Sequence, residues 1–175
     1  AGAHQHLTEF EESDRWARRA IEFGEKNDYK SAIAIGYEFM AENANARGLW
    51  RDSLRCGMLD REWGEKIQSQ ERQVWSRFTV SWALHGTGEL ALARAETDAG
   101  IADAGRIGES RVARFLNIQL VEILSDLGEE GAAWALAEKV YADATSSGMI
   151  VHRAEGHRLY ASLHLRRGAW AEARA

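Results

Sequence analysis

A chain of 175 residues that is 45% hydrophobic and 28% charged suits a single domain with a real core, and no run approaches the ~18 apolar residues of a membrane-spanning helix. A net charge of −5 argues against the concentrated basic face that phosphate backbones require, so nucleic acid is not an expected partner. The one cysteine, Cys56, excludes an internal disulfide or a multi-cysteine zinc centre and fits a reducing cytoplasm.

With no proline anywhere in the chain, long amphipathic stretches run without a breaker, which favours helices throughout. Residues 1–8, with His4 and His6, read as a flexible end without a role. From there the pattern predicts helices over about 9–26, 29–46, 49–67, 70–86, 89–106, 109–127, 129–146 and 149–167, with the start of another at 169. Gly48, Gly88, Gly128 and Gly168 recur at intervals of forty. Small residues follow at Ser13, Ser53, Ala93, Ala133 and Ala173, and Phe10, Trp50, Leu90 and Trp170 form an apolar column broken only by Glu130. Longer matches agree: Phe23-Gly24-Glu25-Lys26 with Trp63-Gly64-Glu65-Lys66, and Ala102-Asp103-Ala104 plus Gly108 with Ala142-Asp143-Ala144 plus Gly148. A forty-residue unit has room for two helices of about seventeen residues and two short connections. A glycine just past a helix can adopt the left-handed conformation that closes its last turn. Small residues at Ser53, Ala93 and Ala133 let paired helices approach closely. Leu120, Leu124 and Leu127 recur at helical spacing and give that helix a face to bury.

Gly128-Glu129-Glu130-Gly131-Ala132-Ala133-Trp134-Ala135-Leu136-Ala137 resembles the turn and second helix of tetratricopeptide repeats, and Gly168-Ala169-Trp170-Ala171-Glu172-Ala173 repeats it. Ala154-Glu155-Gly156-His157-Arg158-Leu159-Tyr160, with Arg167-Gly168, is similar to a helix in the helical regions of bacterial multidomain signalling proteins, among them nucleotide cyclases and ATP-dependent transcription regulators. The likeness is clear from about 88 to 175 and rests on the internal period alone from 8 to 87. The tetratricopeptide first-helix signature is degraded: Tyr37, Met40, Ala41 and Ala44 fit loosely, and Arg77 takes a large-residue position. The resemblance implies an all-α fold, a right-handed superhelix of antiparallel helix pairs with about eight full helices in one domain over 9–175. Its implied work is binding a protein or peptide, with effector sensing in a signalling protein or transcription regulator as the second reading. Neither reading requires a cofactor.

In that family the groove positions lie 13, 10, 6 and 3 residues before the connecting glycine. Here they fall on Trp75, Phe78, Trp82 and His85; on Phe115, Ile118, Glu122 and Ser125; and on Glu155, Arg158, Ser162 and Leu165. Rigid rings in a concavity suit a protein interface. If Gly86 instead of Gly88 ends the fourth helix, the same Trp75, Phe78 and Trp82 become core. Both registers stay open at this point.

Other chemistry is sparse. His157 and His164 lie two turns apart, roughly 10 Å along a helix, too far to share one metal. Gly86-Thr87-Gly88 lacks the Gly-Lys-Ser/Thr of a phosphate loop. Glu11-Glu12 and Glu129-Glu130 sit where helix N-termini favour negative charge, and Cys56 has no histidine near it in sequence. No catalytic residue or metal ligand emerges, so a non-enzymatic role is expected. Arg153, Arg158, Arg166, Arg167 and Arg174 make the last stretch basic. The last repeat stops soon after Gly168, which predicts either a longer polypeptide or self-association through that incomplete unit.

Overall fold

The computed structural model describes residues 9–146, 150–170 and 172–174. Among them the chain forms eight α-helices: α1 (Phe10–Lys26), α2 (Lys30–Ala46), α3 (Trp50–Lys66), α4 (Gln70–Gly86), α5 (Leu90–Ile107), α6 (Ser110–Asp126), α7 (Glu130–Ser146) and α8 (Ile150–Arg166). A 3₁₀ turn follows at Glu172–Arg174. The expected boundaries hold to within a residue or two. The expected flexible end at 1–8, with its two histidines, and Gly148 of the second glycine column lie outside the described residues. None of the described helices is long and apolar enough to cross a membrane.

The regularity comes from one connection used repeatedly. Gly48, Gly88, Gly128 and Gly168 have φ of 73°, 82°, 77° and 72°, and the residue after each donates its N–H to a carbonyl five residues earlier. These bonds are Leu49 N to Ala44 O (2.8 Å), Glu89 N to Leu84 O, Glu129 N to Leu124 O and Ala169 N to His164 O (2.9 Å each). This is the Schellman closure, which satisfies helix-end carbonyls and reverses the chain. The intervening connections use the same bond, from Tyr29, Ser69 and Glu109 N to Gly24, Gly64 and Ala104 O. There the left-handed residue is Asp28 (φ 50°), Gln68 (φ 54°) or Gly108 (φ 73°).

The register left open around α4 is settled by these angles. Gly88 is the left-handed turn residue, in open space, whereas Gly86 is the last residue of the helix, and a Cβ on it would collide with the Trp50 ring. One glycine reverses the chain; the other lets a tryptophan lie across the helix end.

Successive helices pack antiparallel, and α2, α4, α6 and α8 also pack on one another, α2 to α4, α4 to α6 and α6 to α8. The odd-numbered helices make no comparable layer. The even helices therefore form the inner wall of the stack and the odd ones its outer side. The small-residue column explains the pairing distance: Ser13, Ser53, Ala93 and Ala133 are all fully buried. One turn further along, Ala17, Gly57, Thr97 and Ala137 are buried as well. Leu116, Val112 and Val74 fill one core cluster, Ile123, Val80 and Leu84 a second, and Leu159, Leu163, Val121 and Leu124 a third.

Candidate functional site

On the inner wall, α4, α6 and α8 present their side chains at helical spacing toward a common groove. Phe78 and Trp82 stand one turn apart on α4, their ring centroids 5.6 Å apart. Phe115 reaches from α6 to within 5.6 Å of Phe78. With Ile118, Gln119 and Glu122 of α6 and Glu155 and Arg158 of α8, they line a groove of about 430 Å³. The rings are half-buried. Three helices must hold their register for these residues to meet, and the described connections between them, at Gly88, Gly108 and Gly128, are of one kind.

Seven of the positions carried over from the family resemblance line this one groove: Phe78, Trp82, Phe115, Ile118, Glu122, Glu155 and Arg158. His85, Ser125 and Ser162 line a smaller hollow next to it, of about 210 Å³, which shares Glu122. Leu165 lines neither and is exposed. Trp75 departs from the groove assignment. It is 5% exposed and packs in the core with Val74, Ala104, Val112 and Leu116, under the Arg111 guanidinium at 4.8 Å. The cause is geometric: it lies nearly a full turn before Phe78, where α4 turns toward α5 and α6. Its ring edge supports the groove from behind, 6.1 Å from Phe78 and 6.0 Å from Phe115.

The polar wall is an ion cluster. Arg158 donates from Nη1 to Glu122 across the gap between α8 and α6, and from Nε to Glu155 on its own helix, both at 2.8 Å. Desolvation acts to lower the Arg158 pKa, but the bonds to the two carboxylates outweigh it and hold the guanidinium above its ordinary value. One cation thus serves two anions and leaves a net negative charge at the rim. Further along, Asp126 joins His85 of α4 (2.6 Å) to Arg166 of α8 (2.5 Å). Its burial acts to raise the carboxyl pKa, but hydrogen bonds from His85 and Arg166 bring it below the usual carboxylate range.

Two features are not apparent from family positions. Gln119 is 4% exposed and lines the groove, yet neither its Nε2 nor its Oε1 has a hydrogen-bond partner. The period does carry a signal: the equivalent residues are Phe39, Thr79 and Leu159, so an amide stands in a core column. The second is a buried charge group between α2, α3 and α4. Glu38 and Arg72 form an ion pair there, and Asp60, fully buried, has both carboxyl oxygens unpaired. Desolvation, with the nearby Glu38 charge, pushes Asp60 up to about 8. Glu38 is raised too, by burial first, with Arg72 opposing. Asp60 lines neither the groove nor the hollow beside it.

Elsewhere the chemistry is structural. Cys56 is buried, and burial pushes its thiol up, away from nucleophilic character. His164 packs edge-on to Trp134 and His157 to Tyr141, with centroids 4.8 and 5.2 Å apart. Among the described residues no group of three His, Cys, Asp or Glu side chains is arranged to hold a metal ion.

No family model matches this chain, and no curated protein or solved structure is significantly similar to it.

Proposed function

We propose that this protein is an interaction scaffold, similar to tetratricopeptide-repeat proteins, which binds a linear segment of a partner protein along the groove between α4, α6 and α8. The observation that carries the reading is the convergence of half-buried Phe78, Trp82 and Phe115 on one open groove with a charged wall. Rings held rigid at their bases lose little freedom on binding and offer large contact areas, which is how interface anchors work. In this reading the protein is not an enzyme, takes no cofactor and works in the cytoplasm.

The test is selection from a displayed library of random dodecapeptides against the wild type and a Trp82→Ala, Phe115→Ala variant whose helicity is verified by circular dichroism. Peptides that bind the wild type and lose at least tenfold in affinity for the variant support the reading. Equal recovery by both rules out these rings as anchors.

A second reading, effector sensing within a signalling protein, is favoured by one dimension. A groove of about 430 Å³ falls within the roughly 300–1,000 Å³ of small-molecule sites. A metabolite and nucleotide thermal-shift screen separates the two, since a ligand selective for the native state raises its stability.

A further inference from the structure

Twice in this chain a tryptophan and a neighbouring glutamate hold a basic side chain between them. Lys66 lies over the Trp63 ring, 4.2 Å from its centroid, and donates to Glu62 at 2.6 Å. Arg167, just past α8, lies over Trp134 at 4.7 Å and donates to Glu130 at 3.2 Å. The ring face attracts a cation and the carboxylate fixes its donors, so both groups favour the same guest. The groove brings the same two groups together. Trp82 of α4 and Glu122 of α6 are forty residues apart, so they fall in one row of adjacent inner helices, and both line the groove. Among the described residues no basic side chain stacks on Trp82. Arg158 engages only one oxygen of each rim carboxylate, Oε1 of Glu122 and Oε2 of Glu155. Their other oxygens have no partner among the described residues, and the two side chains are 29% and 38% exposed, so solvent and ligand reach them.

We propose that the groove selects a partner segment by an arginine, whose guanidinium lies on the Trp82 ring and donates to the open oxygen of Glu122. Charge decides the sign of the guest: Glu122 and Glu155 share the single cation Arg158, so one negative charge is left over and a basic residue complements it, while an acidic one is repelled. Shape decides between the two basic residues. A guanidinium is planar, so it stacks flat on an indole while its N–H groups point outward in the plane to a carboxylate; an ammonium is a compact point charge that cannot do both as well. The rest of the groove, along Phe78, Phe115 and Ile118, takes an apolar side chain next to that arginine. The occupant is therefore an exposed segment of a partner protein in which arginine adjoins an apolar residue. This rests on the groove being the binding surface proposed above, and adds the chemistry it selects.

The experiment is a nuclear magnetic resonance titration of the folded chain with capped dipeptides, following the Trp82 indole. The probes are acetyl-Leu-Arg-amide, acetyl-Leu-Lys-amide and acetyl-Leu-citrulline-amide, the last keeping the shape of arginine without its charge. The expected result is that the arginine probe binds about tenfold more tightly than the citrulline one, with lysine between them, because only arginine gains both the ring and the carboxylate. In Glu122→Gln, its helicity verified by circular dichroism, the preference for arginine over citrulline shrinks at least threefold; Trp82→Leu, which keeps an apolar side chain, shrinks it as well. If arginine and citrulline bind the wild type equally, the charge assignment is overturned while the groove stands. If lysine binds as tightly as arginine, the guanidinium assignment is overturned. A preference that survives Glu122→Gln unchanged overturns the role of that carboxylate. If no probe perturbs Trp82, the proposal fails together with the groove reading beneath it.

Discussion

The first repeat and the middle of the stack are built on the same backbone and filled with opposite chemistry. At one buried position the chain reads Asn43, Ala83, Ile123 and Leu163; at the groove position it reads Glu38, Phe78, Ile118 and Arg158; at a third it reads Ala20, Asp60, Gly100 and Val140. Around α1 to α3 polar groups are set among the aliphatic residues of the interior. Asn43 donates to Ser13 Oγ and to Asp14, each at 2.8 Å, Asn45 donates to the Thr79 carbonyl at 3.0 Å, and Glu38 pairs with Arg72. Around α4 to α8 the same positions hold rings and aliphatics, apart from Gly100 and the rim residue Arg158. Both regions leave a buried polar side chain unpaired, but Gln119 borders an open groove and Asp60 does not. Solvent reaches the polar atoms of neither, so each is a stability defect, and they differ in ionisation: the Gln119 amide is neutral at every pH and the Asp60 carboxyl is not. That contrast makes four predictions, each able to break it.

The largest effect belongs to the core of the aromatic region. Trp75→Ala is expected to cost about 3–5 kcal/mol, the usual range for emptying a large buried ring, whereas Trp82→Ala removes a half-buried ring and costs about 1–2 kcal/mol. Urea unfolding of the two variants checks the assignment of one ring to the core and the other to the groove. Equal losses would erase the distinction.

Next comes Asp60. Its carboxyl titrates near 3.8 in an unfolded chain and about 8 in the folded one, so between those values the native state holds a proton that the unfolded state has released. Stability therefore falls as pH rises through that window, which is the reverse of an ion-paired acid. At pH 7 the penalty is roughly 4 kcal/mol, of which about 3 kcal/mol is left as a gain in a truncated variant that also loses packing. Asp60→Ala is expected to stabilise the protein by that order at pH 7 to 8 and by little at pH 4. Thermal unfolding across pH reads it directly; a gain that does not depend on pH means that the carboxyl is not the cause.

Gln119→Leu is the corresponding change in the aromatic region, and about 1–2 kcal/mol of stabilisation is expected from replacing two unpaired polar groups with the side chain that Leu159 already supplies. Unlike Asp60→Ala, its effect is flat with pH. A gain that varied with pH would make the two orphans alike.

How much of this could be read from the chain alone follows from what the repeat constrains. The glycines at forty-residue spacing and the small column at Ser13, Ser53, Ala93 and Ala133 act through local backbone and close packing, so they fix helix ends and pairing without knowledge of anything distant. Helical spacing and a constant period name Phe78, Trp82 and Phe115 as groove candidates, but for Phe78 and Trp82 groove and core stay open until the turn at Gly88 is seen. Trp75 could not, since its burial depends on how α4 meets α5 and α6, and Arg111 closes over it from another repeat. Gln119 and Asp60 carry no motif; they stand out only when each column is compared across repeats, and their missing partners are a property of the packed interior.

The smallest effect concerns the connections, where the two regions differ again. Gln68 and Gly108 are equivalent residues, both left-handed, at φ 54° and 73°. A glutamine Cβ is strained there and a glycine is not, so the polar region carries a cost at the turn between α3 and α4 that the aromatic region avoids between α5 and α6. Gln68→Gly is expected to stabilise by about 0.5–1 kcal/mol, and Gly108→Gln to destabilise by about 1 kcal/mol. Asp28 (φ 50°) offers a control, because a short polar side chain tolerates the left-handed region better than glutamine does. Asp28→Gly should gain less than Gln68→Gly. The three variants share one backbone geometry and make no contact with the groove, so urea midpoints in that order locate the difference in side-chain strain at the turn. The reverse order would shift it to the helices that the turns join.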